Sequence, residues 1–387
     1  MRTLATVVRV LDPLKAFIHE ARFSCLCRVV LASFFAVSLR LTDLGRALPT
    51  NGKAKHAIKR VDELLRNSAL MLDAKIVQQY LAGLLASEEE PVLLVDWTDI
   101  GPLWTALVVT YVARGRGLTL CWEVHARRRQ NAPGIESRLL ARIAELLPRA
   151  KPVLVTDAGF KGPWMKKVLK RGWNFVSRVR GRVMVRRDGG KWMSVKNLWA
   201  TAPKRATDAG MHELARSNPV AVRIVTQQRK RPWNKALPSV GRRKKRNIKS
   251  AKEPLIIATS LAEPCAKTVA DIYGLRWQIE MTFRDQKCVR FGRGLDAIRT
   301  KKVERARAYM LLAVLAHYVA YVIGEMAERA GFGRHFQANT EKRRRVLSVV
   351  RLGGEILRTA PEGMLTALAR SPLLALTVAT LPKRGDP

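Results

Sequence analysis

The sequence predicts an α/β core set between helical segments, and three observations carry that prediction. Two apolar runs each end in an acid, PVLLVDWTDI at 91–100 and KPVLVTDAGF at 151–160. Continuous apolar runs of this length suit strands buried on both faces of a sheet. Amphipathic segments, ESRLLARIAELLP at 136–148 and GPWMKKVLKRG at 162–172, are interleaved with such runs. Strands that alternate with helices build an α/β core.

The elements follow in chain order. Residues 1–85 read as all-helical. VVLASFFAVSL at 29–39 is the most apolar stretch there. It is far shorter than the roughly 20 residues a membrane span needs, so it is expected to be a buried helix. LTDLGRALPTNGKAKHAIKRVDELLRN at 41–67 divides into two helical pieces at Pro49–Gly52, with Thr42 and Thr50 or Asn51 as N-caps. The second piece puts Lys53, Lys55, Lys59 and Arg60 around a basic side and Ile58, Val61, Leu64 and Leu65 on a core stripe. A helix pair with one basic member suits docking on DNA, although a helical bundle with a solvated basic face fits the segment equally well.

Residues 86–180 form the first part of the core. LWTALVVTYVARG (103–115) and GLTLCWEVHA (117–126) join the first acid-ended run as adjacent strands, split by a turn at Gly115–Gly117. Strand WNFVSRV at 173–179 follows the second run and its helix. Residues 181–252 break the rhythm as a β-rich basic insertion, with a hairpin turned at Gly189–Gly190 and a loop at 229–250 that holds ten Lys or Arg. The core resumes over 253–330 with strand EPLIIATS, a helix over 271–287 and a long amphipathic helix at 302–330. Residues 331–387 are expected to be helical.

Charge narrows the function. There are 71 Lys and Arg against 31 Asp and Glu, a formal net charge of +40. So large an excess repels itself unless a polyanion neutralises it, and a nucleic acid also gains affinity from released counterions. An anionic membrane is the weaker alternative for want of a spanning segment. The five cysteines lie at 25, 27, 121, 265 and 288 without a CxxC pair. That spacing supports neither a disulfide framework nor a zinc site and fits a reducing cytoplasm.

The acids suggest chemistry. Asp96 and Asp157 end strands, where the edge of an α/β sheet presents its ligands. Glu280 lies in the helix DIYGLRWQIEMTFRDQK. At about 100° per residue, Tyr273, Arg276, Glu280 and Lys287 fall within an arc of about 60°. A solvated face with internal ion pairs explains that arc as well as a site does. A strand-end Asp also serves as a turn former, and Asp99 competes with Asp96 for the role. Three carboxylates converging on one point need cations, and hard divalent ions such as Mg²⁺ take oxygen ligands. A pair of such ions supports in-line phosphoryl displacement.

The spacing Tyr273-x₂-Arg276-x₃-Glu280-x₆-Lys287 resembles the Tyr-Arg-Glu-Lys signature of the fourth family of bacterial insertion-sequence transposases. The ordered stretches LTDLGRALPTNGKAKHAIKRVDELL, VLLVDWTDI, VTDAGFKGPW, GWNFVSRVRG, SAKEPLIIATSL and HFQANT are similar to the branch found in the tetracycline-resistance composite transposon. The resemblance spans about 40–360 and implies a DDE enzyme with an RNase H-like core, a β-rich insertion and flanking helical regions. It implies that Asp96, Asp157 and Glu280 bind Mg²⁺, with Mn²⁺ able to substitute, and that Tyr273, Arg276 and Lys287 hold phosphates. The expected reaction is cut-and-paste transposition through a DNA hairpin. The expected partners are the double-stranded terminal inverted repeats, bound by 1–85, and target DNA, with a homodimer joining two ends in a synaptic complex on the bacterial nucleoid. In the family an aromatic residue four positions before the Thr of the EP-strand stacks on a flipped base. Here that position is Leu255, and Trp233 in the basic loop is the substitute expected from sequence. A structure-specific RNase H-like nuclease or resolvase is the alternative enzyme, and a non-catalytic DNA-binding protein the alternative without chemistry.

Overall fold

The computed structural model describes residues 2–370 apart from 86–87, 114, 182, 229–252, 291, 339 and 342. The acid-ended runs become strands β1 (Val92–Ile100) and β4 (Val153–Thr156). Strands β2 (Trp104–Ala113) and β3 (Arg116–Ala126) complete an antiparallel meander with β1, and β4 and β5 (Asn174–Arg178) run parallel to β1. The order β3-β2-β1-β4-β5 is the RNase H-like arrangement expected from the sequence. The sheet continues through β10 (Leu255–Thr259), β9 (Val220–Gln227), β8 (Thr207–Leu214), β6 (Met184–Arg186) and β7 (Met193–Ser194), all antiparallel. The insertion therefore extends the core sheet instead of forming a separate layer.

Helices cover both faces. On the N-terminal side are α1 (Arg2–Leu11), α2 (Glu20–Phe35), α3 (Leu41–Ala47), α4 (Ala54–Arg66) and α5 (Leu70–Gly83). Between strands lie α6 (Pro133–Leu146) and α7 (Gly162–Leu169), and after β10 come α8 (Ala266–Gly274) and α9 (Trp277–Lys287). The chain then enters α10 (Val303–Arg329), α11 (Val349–Thr359) and α12 (Glu362–Arg370). The buried side chains of α1–α5 belong to the same cluster as those of α10 and β1–β3. A second cluster on the opposite sheet face joins Val92, Leu94, Val153 and Val155 to Ile272 and Tyr273 of α8 and Ile279 of α9.

Three sequence expectations change. The helix at 302–330 is not amphipathic: every residue from Ala308 to Ala327 is buried. It packs against β3 on one side and α2, α1, α4, α5 and α11 on others, and a helix surrounded by protein is apolar all round. It is the one described helix long and apolar enough to cross a membrane, and its apolar window is wholly inside the fold. The helix over 271–287 is two helices. Between them Leu275 and Arg276 take φ/ψ of −60/−23 and −53/−28, and the Ile279 N–H bonds to Arg276 O, a tighter 3₁₀-type turn. The N-caps are Arg40 and Lys53, not Thr42 and Thr50 or Asn51; Thr50 instead accepts from the Gly52 N–H at 3.2 Å as a turn residue.

Close contact between α10 and α11 depends on glycine. A Cβ on Gly353 would strike the Ala320 carbonyl oxygen, and one on Gly324 the Val349 carbonyl oxygen. Gly353→Ala is expected to lower stability by about 1–3 kcal/mol, as overpacking of a tight core does. Urea unfolding checks this, with a lower midpoint at unchanged slope.

Candidate active site

The parallel register of β1 and β4 builds the site. Val95 pairs with Thr156, so Asp96 and Asp157 are the next residues along neighbouring strands. Their backbones are then about 4.8 Å apart, the spacing between paired strands. Asp96 is held by its neighbour's backbone, with the Trp97 N–H donating to Oδ1 at 2.8 Å. Asp157 begins the turn after β4, where the Gly159 N–H donates to its Oδ1 at 2.7 Å. That is turn chemistry, and it still leaves Oδ2 of Asp157 available.

Glu280 arrives from the other side on the first turn of α9. Arg276 joins β1 to α9: its Nη1 donates to Asp96 Oδ2 at 3.4 Å and its Nη2 to Glu280. The Tyr273 ring lies 5.9 Å from the Arg276 guanidinium carbon, within reach of a cation–π attraction. Burial raises the Tyr273 phenol above its ordinary value, so it stays neutral and can donate.

The electrostatics mark a place that favours added positive charge. Burial first, and Asp157 second, push Asp96 up to about 7, against the pull of Arg276 and the Trp97 N–H; Glu280 adds to the rise. Burial opposes the charge on Arg276, yet Tyr273, Glu280 and Asp96 outweigh it and raise the guanidinium further above its already high value. Among the described residues no three acids, imidazoles or thiols close on a common point tightly enough to cage a metal as they stand. By donor type the set does fit a hard divalent ion: all three acids offer carboxylate oxygens, Asp96 on β1 and Asp157 just past β4 are neighbours, and the burden on Asp96 is one a cation relieves.

The remaining sequence candidates divide. Lys287 does not join Tyr273, Arg276 and Glu280. It donates to Thr98 Oγ1 at 3.1 Å and lies 3.6 Å from Asp296. Thr98 shares a strand face with Asp96, so Lys287 flanks the acids from the far end of α9. Asp99 turns away to bind Arg127 at 2.7 Å. Lys53, Lys55, Lys59 and Arg60 are exposed on and beside α4, remote in sequence from the acids. Trp233 lies outside the described residues. Leu255 is partly buried in the second cluster. Sequence reasoning missed Trp277, which is 60% exposed directly after Arg276. The only signal was its position, because in an amphipathic pattern a Trp is read as core.

Residues 88–319 match a protein-family model described as the transposase DDE domain. Over 89 residues the chain is 38% identical to the InsL protein of insertion sequence element IS186A from Escherichia coli K12. It is equally similar to the transposase of insertion sequence element IS421 from Escherichia coli, 38% over 89 residues. Each match covers 21% of this chain and 23% of the relative. Among solved structures, the chain is similar to the piggyBac transposase in a synaptic complex with hairpin DNA. That similarity has a TM-score of 0.45 and 11% identity, over 97% of this chain and 80% of that one.

The high value of Asp96 has a sign that can be tested. A carboxyl raised from 3.8 to about 7 on folding holds its proton in the native state while the unfolded chain has released it. Its contribution favours folding at acid pH and disappears as pH rises between those values. Without metal, Asp96→Asn is therefore expected to match wild type below about pH 4 and to be more stable at pH 8. The gain is at most about 4 kcal/mol, at ~1.4 kcal/mol per pH unit. Denaturant titrations in chelator at both pH values measure it.

Proposed function

The chain belongs to the transposase DDE domain family, and on that premise we propose that it is a DNA transposase of the Tyr-Arg-Glu-Lys group that moves an insertion sequence by cut and paste. The observation that carries this reading is the register of β1 with β4, which sets Asp96 beside Asp157, with Arg276 linking Asp96 to Glu280 from α9. DDE domains generally use divalent metal ions. Asp96, Asp157 and Glu280 would hold them, Mg²⁺ with Mn²⁺ able to substitute, and ions bound there supply Lewis acidity to phosphoryl transfer.

The chain's own residues position the DNA. Arg276 offers a planar fork to a phosphate, and Tyr273 keeps its proton to donate beside it. Lys287, anchored on Thr98, carries positive charge along the same strand face. Water cleaves one strand at the element's end and leaves a 3′-OH. That hydroxyl attacks the opposite strand to form a hairpin, which water reopens, and the freed 3′-OH then attacks target DNA. Each step breaks one P–O bond and forms another. The exposed Trp277 next to Arg276 suits stacking on a base displaced in the hairpin step, a role the partly buried Leu255 cannot serve. Residues 1–85 would bind the terminal inverted repeats through Lys53, Lys55, Lys59 and Arg60, and two chains would join two ends.

Purified Glu280→Gln is expected to lose cleavage of labelled end DNA in Mg²⁺ while still binding it; undiminished cleavage would sink the reading. Strand transfer into a second duplex separates a transposase from a resolvase, which would cut junctions without joining. Trp277→Ala is expected to slow hairpin formation while sparing the first nick, resolved on a denaturing gel. Lys55, Lys59 and Arg60 changed together to Ala should flatten the salt dependence of end binding by about 0.9 for each phosphate no longer neutralised.

A further inference from the structure

The helix that carries Glu280 is docked by polar contacts as well as by Ile279 and Phe283. Ile279 is its fully buried apolar residue, while Thr282 and Gln286 are as deeply buried. Thr282 Oγ1 donates to the Gly117 carbonyl at 2.6 Å, and Gln286 Nε2 to Thr119 Oγ1 at 3.3 Å. Position 117 must be glycine for this approach, since a Cβ there would lie 2.9 Å from Thr110 Oγ1 and 3.1 Å from Thr282 Oγ1. Hydrophobic contact tolerates sliding, whereas such directional bonds fix a helix in translation and rotation.

The charge in that interface is Asp285, and two elements grip it. Arg116, at the start of β3, donates Nε to Oδ2 at 3.0 Å. His317, buried at the centre of α10, brings Nε2 to 3.8 Å from the same oxygen, an ion-pair distance, and that nitrogen has no hydrogen-bond partner among the described residues. Burial alone would raise the Asp285 carboxyl, but His317 and Arg116 draw it below its ordinary value. The Asp285 carbonyl also accepts from the Arg293 N–H at 3.0 Å. The Arg293 guanidinium lies 4.5 Å from the Phe34 ring centroid of α2. Asp285 is five residues past Glu280 on the same short helix, with its side chain directed inward.

We propose that Asp285, held between Arg116 and His317, is a positioning residue that sets where Glu280 stands relative to Asp96 and Asp157. This rests on the transposase reading of that site. Asp96 on the interior strand β1 and Asp157 just past β4 are set by the register of the sheet, but Glu280 reaches them only from a helix broken from its predecessor at Leu275–Arg276. Arg116 ties that helix to β3 and His317 ties it to α10, the most buried element of the fold. Outer partners orient a metal ligand, and changing them typically costs about 10–100-fold in metal affinity or activity.

The full-length Asp285→Asn, His317→Gln and Arg116→Lys proteins are compared with wild type and Glu280→Gln on a labelled end duplex. Three quantities are read: the Kd for the duplex, the single-turnover nicking rate, and the Mn²⁺ affinity of the protein–DNA complex from the free-ion EPR signal. Asp285→Asn is expected to bind the duplex within about twofold of wild type, yet to fall about 10–100-fold in nicking rate and in Mn²⁺ affinity. Arg116→Lys keeps the charge without the fork and should fall between. If Asp285→Asn fails to fold, His317→Gln and Arg116→Lys carry the same comparison. Folded variants with wild-type nicking and Mn²⁺ affinity overturn the proposal. Wild-type nicking by Glu280→Gln would instead overturn the transposase reading, a separate result.

Discussion

The parallel pairing of β1 with β4 is the constraint on which the rest depends. Val92 to Val95 pair in step with Val153 to Thr156, and a slip of one residue would exchange the faces of every side chain in a strand. The buried side chains resist that slip. Leu93 and Val95 belong to the cluster under α10, whereas Val92 and Leu94 belong to the cluster under α8 and α9. Each face is apolar, so the strands are gripped on both sides, and the first residues past their mutual pairing are the two acids, although β1 itself continues, paired with β2, to Ile100. The site is thus placed by packing of residues that take no part in its chemistry.

Setting two half-buried acids side by side is unfavourable, and the surrounding sequence compensates for it. Arg276 gives Asp96 and Glu280 one shared cation, and Lys287 brings another against Thr98. The wider excess of 71 basic over 31 acidic residues sets a positive field in which carboxylates can stay close together. The same excess favours a polyanionic partner. One feature of composition therefore serves both the acids of the site and the DNA that the site is proposed to cut.

Part of this is legible in sequence because acids set in apolar runs and signature spacing are local properties. The run at 151–160 does mark its own end, with Asp157 just past β4, but Asp96 is not the strand end expected from the sequence: β1 runs on to Ile100, held by its pairing with β2. The Tyr273–Arg276–Glu280 grouping survives the break at Leu275–Arg276 because a tightened turn alters helical phase by only part of a turn. Lys287 does not stay with that group, since seven residues beyond Glu280 the phase matters less than the neighbours at Thr98 and Asp296. The helix at 302–330 departs from the amphipathic expectation because its surroundings come from the sheet and from helices on both sides of it in the chain. Trp277 escapes a sequence reading because exposure is a property of what fails to pack on a residue.

By itself the sequence determined the alternation of strands and helices, the candidate acids, and a basic charge that favours a polyanionic partner. Each follows from hydrophobic periodicity or composition, which act within a few residues or over the whole chain. Tertiary structure alone decided that Asp96 and Asp157 stand abreast, that Arg276 links Asp96 to Glu280, and that Asp285 is gripped by Arg116 and His317. The last contact joins residues 169 positions apart on one side and reaches the core helix on the other. Such juxtapositions depend on register and helix docking, and no local pattern in the chain encodes them.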